Sequence, residues 1–200
     1  MKKIITAALL SFALTGANAN VIFSDDFDSE APNQTSVLNY AGFTNWTVTD
    51  GTVDLVANGE YSIYCVGNTG KCVDLDGSTG NAGIFTSSLF NLAAGNYVLS
   101  FDVSGNQRNQ DNDSMVLTLG GFVSDSIQLA GNAPWQTVSY FFTVGTAGSN
   151  SISFNHSGGD NIGIMLDNVS VTDVNAPGAL ALLGLGLTGL AIRRRKQKSI

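Results

Sequence analysis

The chain is 200 residues long, carries a net charge of −7 and is 44% hydrophobic, with 23 glycines, two cysteines and one histidine. Seven of its nine cations lie in the first three or last eight residues, so residues 20–174 hold Lys71 and Arg108 against all sixteen acids, a net of −14. No basic footprint for nucleic acid exists, and one histidine with two cysteines cannot close a zinc site.

Met1-Lys2-Lys3 is a cationic start, Ile4 to Leu14 an apolar run and Ala17-Asn18-Ala19 a small-residue cleavage pattern. This is the signature of a secretory signal peptide over residues 1–19, with the mature chain starting at Asn20. Residues 20–174 suffice for one domain with its own core. Apolar and polar residues alternate over 96–104, 114–119, 136–144, 151–155 and 162–174. Such alternation marks half-buried strands. Turn signals such as Asn58-Gly59, Asp76-Gly77, Gly120-Gly121 and Gly158-Gly159-Asp160 separate them,. The pattern predicts an all-β fold, an antiparallel β-sandwich, with helices only in the signal segment and the C-terminal apolar segment.

Within this domain, Cys65 and Cys72 have six residues between them. In an oxidising compartment they are expected to join and pin a short loop. Asp74 and Asp76 belong to a D-x-D-G-S string that lacks the later glutamate of an EF-hand, and it reads as a turn. Residues 105–113 form a dense polar loop containing Arg108, the only arginine of the region and the first candidate for ligand contact. Tyr40, Trp46 and Trp135 lie beside turn-forming residues. All three are candidate aromatic platforms for a sugar ring, and Trp46 and Trp135 are alternatively core side chains. His156 precedes Gly158-Gly159, where a surface or loop position is expected. No nucleophile elbow surrounds a serine, and no carboxylate pair stands out by motif, so a catalytic role is not expected.

The chain closes with Pro177-Gly178, an apolar run from Ala179 to Ile192, and the cluster Arg193, Arg194, Arg195 and Lys196. Fourteen apolar residues fall short of the roughly 20 that span a bilayer. The arginines fix a C-terminus-inside orientation. Residues 175–198 therefore read as a short processed membrane anchor.

This tail resembles the PEP-CTERM sorting signal of Gram-negative bacteria. The likeness rests on Leu182-Leu183-Gly184-Leu185-Gly186-Leu187 and the arginine cluster, with Ala176-Pro177-Gly178 where that family carries Pro-Glu-Pro. The resemblance implies transient insertion in the inner membrane, processing by an exosortase-type sorting transpeptidase, and release to the cell surface or an exopolysaccharide matrix. Two further segments, Val21 to Asp28 and Gly163 to Val171, resemble the first and last strands of galactose-binding-like jelly rolls, a fold shared by carbohydrate-binding modules. That resemblance implies adjacent terminal strands and a structural Ca²⁺ held by Asp28 and Asp167, with Asp26 beside them. The expected role is a non-catalytic component of an extracellular polysaccharide matrix that binds glycan. A secreted glycan hydrolase and a purely structural or adhesive surface protein are the alternatives.

Overall fold

A computed structural model describes residues 19–174. The signal segment and the tail residues Pro177, Arg193, Arg194 and Arg195 lie outside the described residues. Among those described, no helix is long and apolar enough to cross a membrane.

The domain is an antiparallel β-sandwich, as its alternation requires. Thirteen strands follow in chain order: β1 (Val21–Asp25), β2 (Trp46–Thr49), β3 (Asp54–Ala57), β4 (Lys71–Asp74), β5 (Ile84–Ser87), β6 (Phe90–Leu92), β7 (Gly95–Ser104), β8 (Asp113–Leu119), β9 (Val123–Leu129), β10 (Gln136–Val144), β11 (Gly148–Asn150), β12 (Ile152–His156) and β13 (Met165–Asp173). One sheet runs β10-β7-β13-β4-β3, with β1 also paired to β13. The other runs β2-β5-β12-β8-β9, and β6 pairs with β11 as a two-stranded ribbon. Two single 3₁₀ turns, Glu60–Ser62 and Val66–Asn68, interrupt the link between β3 and β4.

The inner faces meet in an aromatic core. Trp46 stacks on Phe85 with ring centroids 4.4 Å apart, and Phe27, Phe43, Phe101 and Phe154 close around them. A second, smaller apolar cluster joins Val56, Ile63, Met165 and the Cys65–Cys72 disulfide, with Trp135 packed against it. The disulfide expected from the spacing is present, and it anchors the segment between β3 and β4 to the sheet. The terminal strands lie side by side, Phe23 opposite Val171 and Asp25 opposite Val169. Opposite β7, the register of β13 shifts between Asp167 and Ser170, and Asn168 there takes a φ of 50°. A bulge of this kind re-aims side chains without ending the strand.

Candidate functional site

The polar loop between β7 and β8 is fixed from both sides. Gln107 accepts from the Tyr64 backbone N–H at 2.9 Å and donates back to the Tyr64 carbonyl at 3.0 Å. Asn106, buried, accepts the Arg108 N–H at 3.0 Å and donates to Asp113 at 2.9 Å. Gly105, at the start of the loop, lies against the β9–β10 link, where an added Cβ would stand 2.0 Å from the Ala130 carbonyl oxygen. Only glycine lets the two chains approach so closely.

Held in this way, the loop separates two cavities. One, of about 290 Å³, is lined by Arg108, Tyr61, Asp54, Ser78, Asn161 and Leu38 among others. Tyr61 is half exposed there, while Asp54 is buried and accepts from the Asn39 and Ser78 N–H groups and the Ser78 hydroxyl. The other cavity, of about 350 Å³, is lined by Trp135, Pro134, Gln107 and Asn109. Trp135 is half-buried, its indole N–H donating to the Tyr64 carbonyl at 2.7 Å. Arg108 and Trp135 thus flank one loop. Tyr40 lines neither cavity: its ring packs 4.6 Å from Phe43 and its hydroxyl donates to the Gly42 carbonyl. Trp46 is 4% exposed and donates its indole N–H to Asp25, so no face of that ring is open to a ligand. Sequence reasoning missed Tyr61, because a tyrosine following Gly59-Glu60 carries no signal of exposure.

Beneath the Arg108 cavity lies a crowded set of ionisable groups. Asp74, the last residue of β4, is buried and sits 3.6 Å from the Arg108 guanidinium. It also accepts the Asp76 and Gly163 N–H groups at 3.1 and 2.9 Å. Burial pushes its carboxyl up to about 7 against these contacts. Gly163 is required here, since a Cβ would fall 2.5 Å from the Asp76 nitrogen. Burial, with Asp160, Asp76 and Asp111 nearby, also pushes Asp113 up to about 6, against the pull of its Asn106 hydrogen bond.

His156, expected at the surface, is 5% exposed. Its Nδ1 accepts the Gly158 N–H at 2.9 Å, and the Ile164 N–H approaches Nε2 at 3.2 Å. A neutral ring can accept at one nitrogen and a protonated ring at neither. Burial lowers its pKa in keeping with this.

The expected calcium ligands are arranged differently. Asp28 accepts the Lys71 N–H at 2.7 Å, and Asp26 accepts the Asp28 N–H at 3.2 Å. Asp167 accepts the Val66 and Asn168 N–H groups at 3.2 and 2.8 Å. The Lys71 ammonium donates to the Glu30 and Ala31 carbonyls of the same loop. Each of these carboxylates accepts at least one backbone N–H, and a built-in cation already ties the loop. Among the described residues no group of three or more His, Cys, Asp or Glu is drawn up as a metal cage. Asp26, Asp28 and Asp167 as folded therefore do not fit a bound calcium.

The fold is shared with carbohydrate-binding modules. The CBM22-1 xylan-binding domain of Paenibacillus barcinonensis Xyn10C superposes with a TM-score of 0.51 at 13% identity, over 79% of this chain and 97% of that one. TmCBM61, solved in complex with β-1,4-galactotriose, gives 0.50 at 17% identity, over 67% of this chain and 92% of that one. At these identities the likeness is one of fold. No family model and no curated protein matches the sequence. What this β-sandwich shares with these two modules is the fold.

Proposed function

We propose that the chain is an exported, non-catalytic glycan-binding protein, carried by its PEP-CTERM-like tail to the cell surface or the exopolysaccharide matrix of a Gram-negative bacterium. The observation that supports this reading best is the cavity beside the 105–113 loop. It sets a half-exposed aromatic ring, Tyr61, against the guanidinium of Arg108 and the polar groups of Asn161, Ser78 and Asp54. An aromatic face stacks on the apolar face of a pyranose, and the few converging polar groups fix its hydroxyls. The fold shared with proteins that hold xylan and galactotriose agrees with this reading. His156, the one histidine, is buried, accepts the Gly158 N–H and does not line the cavity.

Affinity electrophoresis of the purified full chain through a panel of polysaccharides tests the reading. Retardation on at least one glycan, lost in Y61A and R108A, is the expected result. Failure on every polysaccharide, together with turnover of a glycoside substrate, would replace it with the hydrolase alternative. Failure of both, with loss of biofilm cohesion in a deletion strain, would favour a structural role.

A further inference from the structure

We propose, on the glycan-binding reading, that one glycan chain crosses the 105–113 loop from the Tyr61 cavity to the Trp135 cavity. The protein then grips several consecutive sugars in the interior of a polysaccharide, not a single sugar at its end.

The backbone register sets the distance between the two cavities. Asp54 stands opposite Asp74, Asp74 opposite Met165, and Met165 opposite Ser104. Gln136, opposite Val103, brings Trp135 alongside Ser104. The row crosses β3, β4, β13, β7 and β10, four strand spacings or about 19 Å,. Asp54 lines the cavity at one end of it, and Ser104 and Trp135 line the cavity at the other. That span is several times the width of one pyranose ring. Both cavities belong to the same side of the sheet, because Val56, which lines the first, shares an apolar cluster with Met165, and Trp135 of the second packs against it.

The ground between the cavities suits a sugar chain. Gln107 is bonded to the Tyr64 backbone at both its N–H and its carbonyl, and the same carbonyl accepts the Trp135 indole N–H. The Tyr64 ring, 54% exposed, is thereby held next to Trp135, and the Arg108 guanidinium lies over Asp74 in the middle of the row. Tyr61, Tyr64 and Trp135 make three aromatic platforms, with Arg108, Asn109 and Asn161 beside them for hydroxyl groups. Tyr61 also keeps a φ of 51°, which bulky residues rarely adopt and which persists where the surroundings enforce it, ligand clamps among them,.

The probe is the polysaccharide that most retards the full chain in affinity electrophoresis, cut into fragments and sorted by length. Calorimetric titration of the full chain should show affinity rising about tenfold or more from the shortest fragment that binds to the long ones, as further platforms engage. W135A and Y64A should each weaken the long fragments about fivefold or more and flatten the dependence on length. F141A, at an exposed position farther along β10, should bind as the unmodified chain does. Affinity already complete with a single sugar overturns the proposal. So does undiminished affinity of Y64A for the long fragments, or loss of binding in F141A. Should W135A fail to fold, Y64A decides, since the hydrogen bonds of Tyr64 come from its backbone. If no polysaccharide retards the chain, the glycan-binding reading falls and the proposal with it. Retardation without dependence on length overturns the proposal alone.

Discussion

Two acidic neighbourhoods at different places in the sandwich are built on opposite terms. Beside the terminal strands, Asp25 accepts from the Phe27 N–H, the Asn45 amide and the Trp46 indole, and Glu30 accepts from the Thr44 N–H. Lys71 then ties the same loop through two carbonyls. At Asp76, by contrast, one carboxylate oxygen is buried with no hydrogen-bond partner, and the other receives only a 3.5 Å contact from the Asp160 N–H. The same residue types are thus tied in by donors in one place and left short of them in the other. The difference lies in the donors supplied by the backbone, by the Asn45 amide and Trp46 indole, and by Lys71.

Three changes probe that contrast. The largest effect is expected for W46A, which removes the ring stacked on Phe85 and leaves Asp25 short of a donor. It should cost about 3–5 kcal/mol by chemical denaturation, whereas truncation of half-exposed Trp135 should cost less. A smaller loss, about 2 kcal/mol, is expected for K71M, which deprives two carbonyls of a charged donor. Loss of less than about 0.5 kcal/mol would show that the ammonium does not hold the loop.

The smallest effect is the slope of stability with pH. Asp74 and Asp167 are pushed up to about 7 and Asp113 to about 6, burial being the main cause in each. The unfolded chain releases these protons near pH 4. The folded chain keeps them longer, so their contribution is complete below pH 4 and is lost as pH rises through 6 and 7. His156, lowered by burial, acts in the opposite sense and favours folding as pH rises to about 6.5, where the unfolded imidazole loses its proton,. Between pH 6.5 and 8 proton release from folded Asp74 and Asp167 outweighs the remaining half of the unfolded imidazole's titration,. The thermal midpoint should fall across that window, and D74N should flatten the fall. A midpoint that rises there would contradict the buried-acid reading.

Much of the fold was legible because strand alternation is a local property. The expected strand at 136–144 coincides with β10, and those at 96–104 and 114–119 match β7 and β8 to within one residue. The pairing of first and last strands and the disulfide also came from sequence, through a family likeness and a spacing. The acids were less legible. Asp25, Glu30, Asp54, Asp74, Asp76 and Asp167 are buried, although acidic side chains are mostly exposed in folded proteins,. Some of these take N–H donors from segments far off in the chain, Gly163 for Asp74 and Val66 for Asp167, 89 and 101 residues away. His156 was misplaced for the same reason: its two backbone neighbours come from the turn after β12 and the approach to β13. Asp74-Leu75-Asp76-Gly77 does contain a turn, as its sequence says, yet that turn is tucked under the Gly163 backbone. Arg108 was found because it is the sole arginine of the region, and Tyr61 was missed because exposure is not written in its neighbours.

The antiparallel pairing of β1 with β13 carries a mechanical consequence. Asn20 and Asp173 bond to each other where the first strand starts and the last one finishes, so both ends of the sandwich emerge at one point. A load pulling them apart would meet the ladder bonds one after another, as a zip fastener opens, and would never strain them together. Such a module yields gently when tugged by its two ends and resists best when the load enters elsewhere on the sheet.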